Sequence, residues 1–157
     1  MKKSIAFIGT CGLLSNMIVG VLPTQAIPLS QGQCASNLVS LISDNGAQPI
    51  PGLSLTVNNY NYTTNNAIIH VSADVGITND AEVRISYSID GGVPQEYQYG
   101  PGNFANYQEY YATRSVIAII PIPAGTHTIT PYWRVSGSTG KNAVIVERCI
   151  TAELNTQ

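Results

Sequence analysis

Apolar and polar residues alternate with a period of two along much of the chain. In "AIIHVSADVGI", Ile69, Val71 and Val75 share one side of the segment, and His70 and Asp74 share the other. The segment "EVRISYSID" alternates in the same way. Because successive side chains of a β-strand point to opposite faces of a sheet, this pattern predicts strands with one buried face.

The alternation predicts eight strands, at residues 37–43, 53–57, 67–77, 82–90, 94–99, 113–122, 126–136 and 143–154. Turn signals rich in glycine and proline separate them, and "IDGGVP" predicts a hairpin turn at residues 90–92. No segment has helical periodicity, no segment repeats, and nothing divides the chain into two domains. The sequence therefore predicts an all-β fold, a single two-sheet antiparallel sandwich of the jelly-roll type, with an immunoglobulin-like topology as the alternative.

The patterns of two segments predict where those segments lie in the fold. "SVIAIIPI" is apolar on both sides, which is typical of a strand at the centre of a fold. In "THTITPYWRVSG", His127 and Trp133 share one phase, so we expect a rim histidine and a core tryptophan. Pro131 lies between them and cannot donate a ladder hydrogen bond, which predicts an edge position or a bulge there.

The first 26 residues have the order of a secretory signal peptide. Lys2 and Lys3 precede an apolar stretch that ends at Leu22, and Thr24 and Ala26 supply the small residues before the cleavage point. We expect cleavage after Ala26, which leaves residues 27–157 as one mature domain and an exported protein, secreted or periplasmic. An uncleaved anchor is the alternative.

The charge pattern excludes several classes of partner. The chain has 7 basic and 9 acidic residues, and loss of Lys2 and Lys3 leaves 5 basic residues and a net charge of −4. The remaining basic residues are dispersed. Since nucleic acids and anionic membranes are bound through clustered positive charge, we expect neither nucleic acid nor a membrane as a partner after signal cleavage.

Two cysteines remain after cleavage, Cys34 near the start of the domain and Cys149 near its end. In an oxidising compartment such a pair predicts a disulfide, and the bridge requires that the two Cα atoms lie within about 7 Å of each other. The first residues of the domain and its last strand should then be neighbours. No zinc-ligand spacing is present, and we expect no metal or other cofactor.

Two segments rich in tyrosine and asparagine, residues 58–66 and 96–111, are the strongest candidates for a binding surface. Tyrosine offers a large rigid contact area with a hydroxyl group, and asparagine offers adaptable hydrogen bonds. The alternative is that these tyrosines are only good strand formers. The candidate ligand-binding residues are Tyr60, Tyr62, Tyr97, Tyr99, Tyr107, Tyr110 and Tyr111.

The sequence gives less support for a catalytic site or a metal site. His70, Ser72 and Asp74 share one strand face, but residues four apart in a strand are separated by about 13 Å, too far for a triad. No nearby acid or nucleophile suggests itself for His127 from the sequence. Asp74, Asn79, Asp80 and Glu82 lie near one strand connection, where calcium stays an open alternative to a polar turn.

The segments "PIPGLSLTV" and "PAGTHTITPYWRVSG", followed by a closing strand, resemble small β-sandwich domains of secreted bacterial proteins and of phage tail-fibre tips. The general pattern also resembles the jelly roll of the tumour-necrosis-factor and complement globular-head group. This resemblance covers strand order over most of residues 27–157, and about two dozen residues as motif. It implies recognition or surface structure, often in trimers, and no catalytic residues. The terminal cysteine pair departs from that pattern.

Taken with the residues, these patterns favour an exported, non-enzymatic module that binds a glycan or a protein through its Tyr/Asn-rich loops. A structural protein of the cell envelope that self-associates, as a homo-oligomer, is the alternative. A hydrolase is a third hypothesis, for which the sequence offers no combination of nucleophile, base and orienting group.

Overall fold

The computed structural model describes residues 30–42, 45–77, 81–96, 103–106, 112–136 and 140–155. Strands account for most of these residues, and no helix among them is long and apolar enough to cross a membrane. The predicted signal peptide lies outside the described residues. The strands in chain order are β1 (Ser30–Ala35), β2 (Val39–Ile42), β3 (Gln48–Pro49), β4 (Leu55–Asn59), β5 (Asn65–Ile77), β6 (Glu82–Ile89), β7 (Asn103–Asn106), β8 (Ala112–Ile122), β9 (Gly125–Ser136) and β10 (Asn142–Leu154).

The strands form two antiparallel sheets whose order is that of a jelly roll. In the first sheet β1 and β2 follow one another along the same side of β10, and the order continues through β5 to β8. In the second, β3 and β4 share one side of β9, and the order continues through β6 to β7. Each sheet thus places a strand from the end of the chain, β10 or β9, between two strands from earlier in the chain. This strand order confirms the predicted jelly-roll-like sandwich. It does not fit the immunoglobulin-like alternative, in which the first and last strands do not pair in this way.

The core lies between the two sheets and is built by the alternation seen in the sequence. Along β5 every second residue from Asn65 to Val75 is buried. Along β9 the buried positions include Ile129, Trp133 and Val135, and Trp133 is only 1% exposed. Trp133 is therefore the core anchor that the sequence predicts. Truncation of such a residue to alanine typically costs about 3–5 kcal/mol.

The predicted disulfide is present and joins the two ends of the domain. Cys34 in β1 and Cys149 in β10 are direct partners in the antiparallel register, with their Cα atoms 4.1 Å apart. The bridge closes a sequence separation of 115 residues. In the chain-entropy description, a loop of that length gains about 5 kcal/mol of stability from the cross-link.

Arg148, next to that disulfide, is buried and holds two chain segments onto β10. It is 2% exposed, and its guanidinium donates to the main-chain carbonyls of Asn37, Pro51 and Val146 and to the Asn37 side-chain oxygen, at 2.6–2.9 Å. The register between β10 and β5 shifts between Ile145 and Arg148. This irregularity accompanies an arginine in a buried position of an otherwise alternating strand.

The predicted edge or bulge at Pro131 is wrong. The β9 strand has partners on both sides, and its register with β6 is continuous from Glu82 to Ile89. Tyr87, which lies opposite Pro131, exchanges its main-chain hydrogen bonds with Gln95 instead. The Pro131 nitrogen therefore faces the gap where β3 ends and β4 begins, and its carbonyl accepts from Ile50 at 2.9 Å. A missing donor costs nothing at a gap between two strands.

The central position predicted for "SVIAIIPI" is also wrong. These residues lie in β8, which is the outermost strand of its sheet and pairs only with β5 among the described residues. Its second apolar face is turned outward: Ile117 is 51% exposed, and Ile68, which lies opposite Ile119 on the adjacent β5, is 40% exposed. An apolar run on both faces thus marks an exposed apolar strip here, not a fully buried strand.

Candidate functional site

The candidate site is the connection between β4 and β5, residues 60–64, which we call the tyrosine loop. It crosses from one sheet to the other at one end of the sandwich, and Asn59 and Asn65 are buried at its two ends. The Asn59 amide nitrogen donates to the carbonyls of Thr63, Ile122 and Pro123 at 2.8, 2.9 and 3.0 Å. Its oxygen accepts from the Asn61 main-chain nitrogen at 3.1 Å and from the Asn65 amide at 3.0 Å.

This network uses both polar atoms of one buried side chain to fix the loop from inside. Five hydrogen bonds converge on Asn59, which is 2% exposed. A buried amide that lost such partners would carry the full cost of desolvation, so the arrangement holds the loop in one conformation. A further hydrogen bond, from the Thr126 hydroxyl to Asn58 at 2.8 Å, fastens the end of β4 to β9.

The tyrosine loop presents two aromatic side chains to solvent. Tyr60 is 76% exposed and Tyr62 is fully exposed, at 102%. Asn61 between them is half-buried, with its main chain turned inward onto Asn59. Two large aromatic groups on a braced loop form a surface that can stack on a ligand without first being ordered.

A second cluster, the Asp90–His127 pair, lies at the same end of the sandwich. The Asp90 carboxylate meets His127 Nδ1 at 2.7 Å and accepts from the Thr128 main-chain nitrogen at 2.7 Å. His127 Nε2 faces the Ala124 carbonyl at 3.4 Å. The turn of residues 122–124 is thus held by two side chains, since Asn59 binds the carbonyls of Ile122 and Pro123.

The electrostatics of this pair follow from those contacts. The hydrogen bond from Thr128 is the main cause that lowers the pKa of Asp90, and the bond with His127 lowers it further. The hydrogen bond with Asp90 raises the pKa of His127 above its ordinary value of 6.5, against a smaller opposing effect of burial. The pair therefore favours a charged imidazolium beside a charged carboxylate.

The turn that carries Asp90 is the hairpin turn predicted at residues 90–92. Asp90 and Gly91 have φ values of 52° and 72°, and Gly92 donates to the Ile89 carbonyl at 2.9 Å. Aspartate is one of the few residues with a side chain that tolerate this conformation. The turn brings the carboxylate of Asp90 into contact with His127 and Thr128 on β9.

Only two of the predicted ligand-binding tyrosines can be placed. Tyr60 and Tyr62 lie on the tyrosine loop, whereas the others, Tyr97, Tyr99, Tyr107, Tyr110 and Tyr111, lie outside the described residues. Asn106 pairs with Glu82 and Ala112 pairs with Val75, which places the two residues that flank 107–111 at the opposite end of the sandwich from the tyrosine loop.

The polar face predicted for β5 is present. His70, Ser72 and Asp74 alternate with the buried positions of the strand, and Asp74 accepts from the Thr113 hydroxyl on β8 at 2.6 Å. Asn79 and Asp80, which the sequence places near a calcium alternative, lie outside the described residues. Within the part of the chain that the structure describes, no group of three or more His, Cys, Asp or Glu residues is placed to hold a metal ion.

A groove of about 420 Å³ opens between β2 and β3, in the half of the sandwich away from the tyrosine loop. Its volume is within the range of small-molecule sites. The residues that line it are uncharged: Val39, Ser40, Leu41, Asn45, Gln48, Pro49, Pro51 and Trp133. The groove therefore has the size of a binding site. Its lining has neither a charged group nor an exposed aromatic ring, both of which are present at the tyrosine-loop end of the sandwich.

Sequence reasoning missed Asn59, Asp90 and Arg148. Asn59 sits in an asparagine-rich run, where nothing distinguishes the buried amide from its exposed neighbours. Asp90 lies 37 residues from His127, and only the pairing of β6 with β9 brings them together. The one available signal was that "IDGGVP" and the start of "THTITPYWRVSG" both flank turns, which jelly-roll topology can bring to one end of the sheet.

Comparison with known proteins finds distant structural similarity. No family model matches the chain, and no curated protein matches it. Among solved structures, the chain is similar to the Eiger TNF of S. frugiperda, with a TM-score of 0.47 and 10% identity over 83% of this chain and 94% of that one. It is also similar to a structure of infectious bursal disease virus, Gx strain, with a TM-score of 0.45 and 13% identity over 88% of this chain and 41% of that one.

These similarities are too distant to say what the chain binds. The resemblance to the tumour-necrosis-factor group agrees with the strand order described above, at the level of the jelly-roll fold alone. The resemblance to secreted bacterial domains and to phage tail-fibre tips stays a prediction.

Proposed function

We propose that this chain is an exported, non-enzymatic recognition module that binds its ligand through the tyrosine loop. The observation that carries the proposal is the contrast between Asn59, buried with five hydrogen bonds, and the exposed Tyr60 and Tyr62 that follow it in the chain. Because this loop is already ordered in the free protein, ligand contacts with the two rings do not have to offset an entropic cost of ordering it.

The engagement of His127 supports a role without catalysis. Its Nδ1 is bound by Asp90 and its Nε2 faces the Ala124 carbonyl. A general base needs one ring nitrogen within hydrogen-bond reach of the proton that it abstracts. With both nitrogens engaged, His127 supports the turn of residues 122–124 and orients the end of β9.

The disulfide supports export. Cys34 is exposed and Cys149 is half-buried, on the outer side of their sheet, where cytosolic reductants would reach them. A disulfide of this kind fits a secreted or periplasmic protein, in agreement with the expected signal peptide. The low density of positive charge gives no support to nucleic acid or membrane partners.

A mixed array of glycans and extracellular proteins tests the proposal. We expect the mature protein to bind at least one class of spot, and a Tyr60→Ser, Tyr62→Ser variant to lose that binding. Val93→Ser is the matched control, because Val93 is 81% exposed and follows the turn at the same end of the sandwich. Binding that the double variant retains in full would remove the tyrosine loop from the proposal. A Tyr107→Ser, Tyr110→Ser variant tests the second predicted segment in the same assay.

A structural protein that self-associates is the second candidate, and one observation favours it. The outer face of β5 and β8 carries Ile68, Ile117 and Ile119. Ile68 lies directly opposite Ile119, and Ile117 lies two residues before Ile119 on β8. Ile68 on β5 is 40% exposed, and Ile117 on β8 is 51% exposed. Among the described residues, β8 has no partner beyond β5. Contiguous exposed apolar surface of this kind is typical of an interface.

Size-exclusion chromatography with light scattering separates the two candidates. If the protein self-associates through this face, Ile117→Glu converts an oligomer into a monomer. Ser115→Glu, at an exposed position of the same strand that pairs with Ser72 outside the apolar strip, leaves the oligomer intact. A native protein that is monomeric at all concentrations tested contradicts the second candidate.

A further inference from the structure

We infer that the ligand of the tyrosine loop is a neutral carbohydrate, bound by stacking on Tyr60 and Tyr62. This inference rests on the proposed function and adds the chemical class of the ligand. Three features of this end of the sandwich lead to it: the absence of Lys, Arg, Asp and Glu from two chain segments that build it, the area that the two rings can bury, and the composition of the residues around them.

Two of the segments that build this end lack Lys, Arg, Asp and Glu, and the charged groups Asp90 and His127 are paired with each other. Residues 45–69, which include β4 and the tyrosine loop, contain no Asp, Glu, Lys or Arg, and the same holds for residues 115–133, which include the turn of residues 122–124. Asp90 is charged, but its carboxylate is engaged by His127 and Thr128. Acidic sugars, phosphates and acidic peptides are recognised through arginine or lysine. Neither segment offers such a cation.

The rings supply an area suited to a small ligand. A tyrosine side chain buries about 150–250 Å² when covered, so Tyr60 and Tyr62 together offer about 300–500 Å². A stable protein–protein interface buries about 800 Å² on each partner. The two rings alone match the size of one or two sugar rings, whereas a protein partner would need further contacts around the loop.

The chemistry of the surroundings matches a polyol. One face of a pyranose ring is lined with C–H bonds that carry partial positive charge, and the face of an aromatic ring is the negative end of its quadrupole. Thr63, Thr64 and Asn66 are exposed beside the tyrosines and add hydroxyl and amide groups, which both donate and accept. Uncharged groups of this kind exchange water for sugar hydroxyls at low desolvation cost.

Affinity electrophoresis in gels that contain a soluble polysaccharide tests this inference. Hydroxyethyl cellulose and carboxymethyl cellulose form a matched pair with one backbone, neutral in the first and anionic in the second, and galactomannan adds a second neutral backbone. We expect retardation of the native protein by at least one neutral polymer. We expect Tyr60→Ala, Tyr62→Ala to weaken the affinity at least tenfold, and Tyr60→Phe, Tyr62→Phe, which keeps both rings, to stay within about threefold of the native protein.

Three results would overturn the inference: retardation by carboxymethyl cellulose alone, retardation by a neutral polymer that the alanine variant shows equally, or no retardation in any gel. The thermal midpoint of each variant is measured alongside, and because both tyrosines are exposed we expect it to match that of the native protein. Loop-dependent binding to protein spots on the array, without retardation here, rejects the carbohydrate and leaves the proposed recognition module standing.

Discussion

The carboxylate of Asp90 and the imidazole of His127 lie 2.7 Å apart, although 37 residues separate them in the chain. The pair links the turn after β6 to β9, and His127 also faces the turn that Asn59 holds. Asn59 and His127, on the adjacent strands β4 and β9, thus both contact the turn of residues 122–124. Asn59 in addition joins this turn to the tyrosine loop.

The stability of the protein should depend on pH through this pair. The pKa of His127 is raised in the folded state, so its contribution is fully present below pH 6.5 and is lost as the pH rises through the folded pKa. The pKa of Asp90 is lowered, so its contribution is present above pH 3.8 and is lost as the pH falls through the folded pKa.

Urea unfolding of the native protein and of His127→Gln, from about pH 6 to about pH 9, measures the upper side of this window. We expect the difference in midpoint between the two proteins to shrink as the pH rises. Asp90→Asn is the companion variant, because asparagine tolerates the φ of 52° and can still accept from Thr128. A constant difference across the range would contradict the role given to the pair.

Removal of the buried amide of Asn59 should destabilise the fold. In Asn59→Ala, three carbonyls and two donors lose their shared partner, and we expect a loss of about 3 kcal/mol in the free energy of unfolding. Asn66→Ala, at an exposed asparagine, is the control and should change stability by less than about 0.5 kcal/mol. Equal effects in the two variants would remove Asn59 from its bracing role.

A similar prediction concerns Arg148, in the middle of β10. Its four hydrogen bonds tie Asn37 and Pro51 to β10, and burial lowers its pKa below the ordinary value. Arg148→Met keeps much of the volume but leaves three partly buried carbonyl groups without their donor, so we expect a loss of about 2–3 kcal/mol. Arg134→Met, at an exposed arginine on β9, provides the comparison. Chemical denaturation measures both, and an Arg148→Met variant as stable as the native protein would show that water replaces the guanidinium.

The disulfide should account for a large part of the stability. We expect Cys34→Ser, Cys149→Ser to lose about 2–5 kcal/mol, because the bridge closes most of the domain into one loop. Intact mass without reductant should show the native protein two hydrogens lighter than its reduced form. The same spectrum reports whether the chain begins at Ile27, which tests the predicted signal cleavage. A mass that does not change on reduction would contradict the pairing.

Particular elements show how far the sequence predicts this fold. The long strands β5, β6, β9 and β10 were predicted to within two residues at each end, because their alternation reflects one buried face. The strands β1, β3 and β7 were missed. They are short and rich in Gln, Asn and Ser, and they are held by partner strands and, in β1, by a disulfide, so their own sequence carries no periodic signal.

The positions of β8 and Pro131 were predicted wrongly for a related reason. The sequence of a strand reports which of its faces are apolar, but not whether a partner strand or solvent lies beside it. The site shows the same division. Tyr60 and Tyr62 could be picked out by residue type alone, whereas Asn59 and the Asp90–His127 pair depend on contacts that only the assembled sandwich creates.

NMR of the native protein with ¹³C-labelled tyrosine rings, titrated with short neutral oligosaccharides, tests the recognition claim most directly, because it observes every tyrosine in the unmodified chain. The account predicts that the signals of Tyr60 and Tyr62 shift and saturate together, while those of the framework tyrosines Tyr87 and Tyr132 stay in place. Shifts confined to Tyr97, Tyr99, Tyr107, Tyr110 or Tyr111, or a spectrum that does not change, would contradict it.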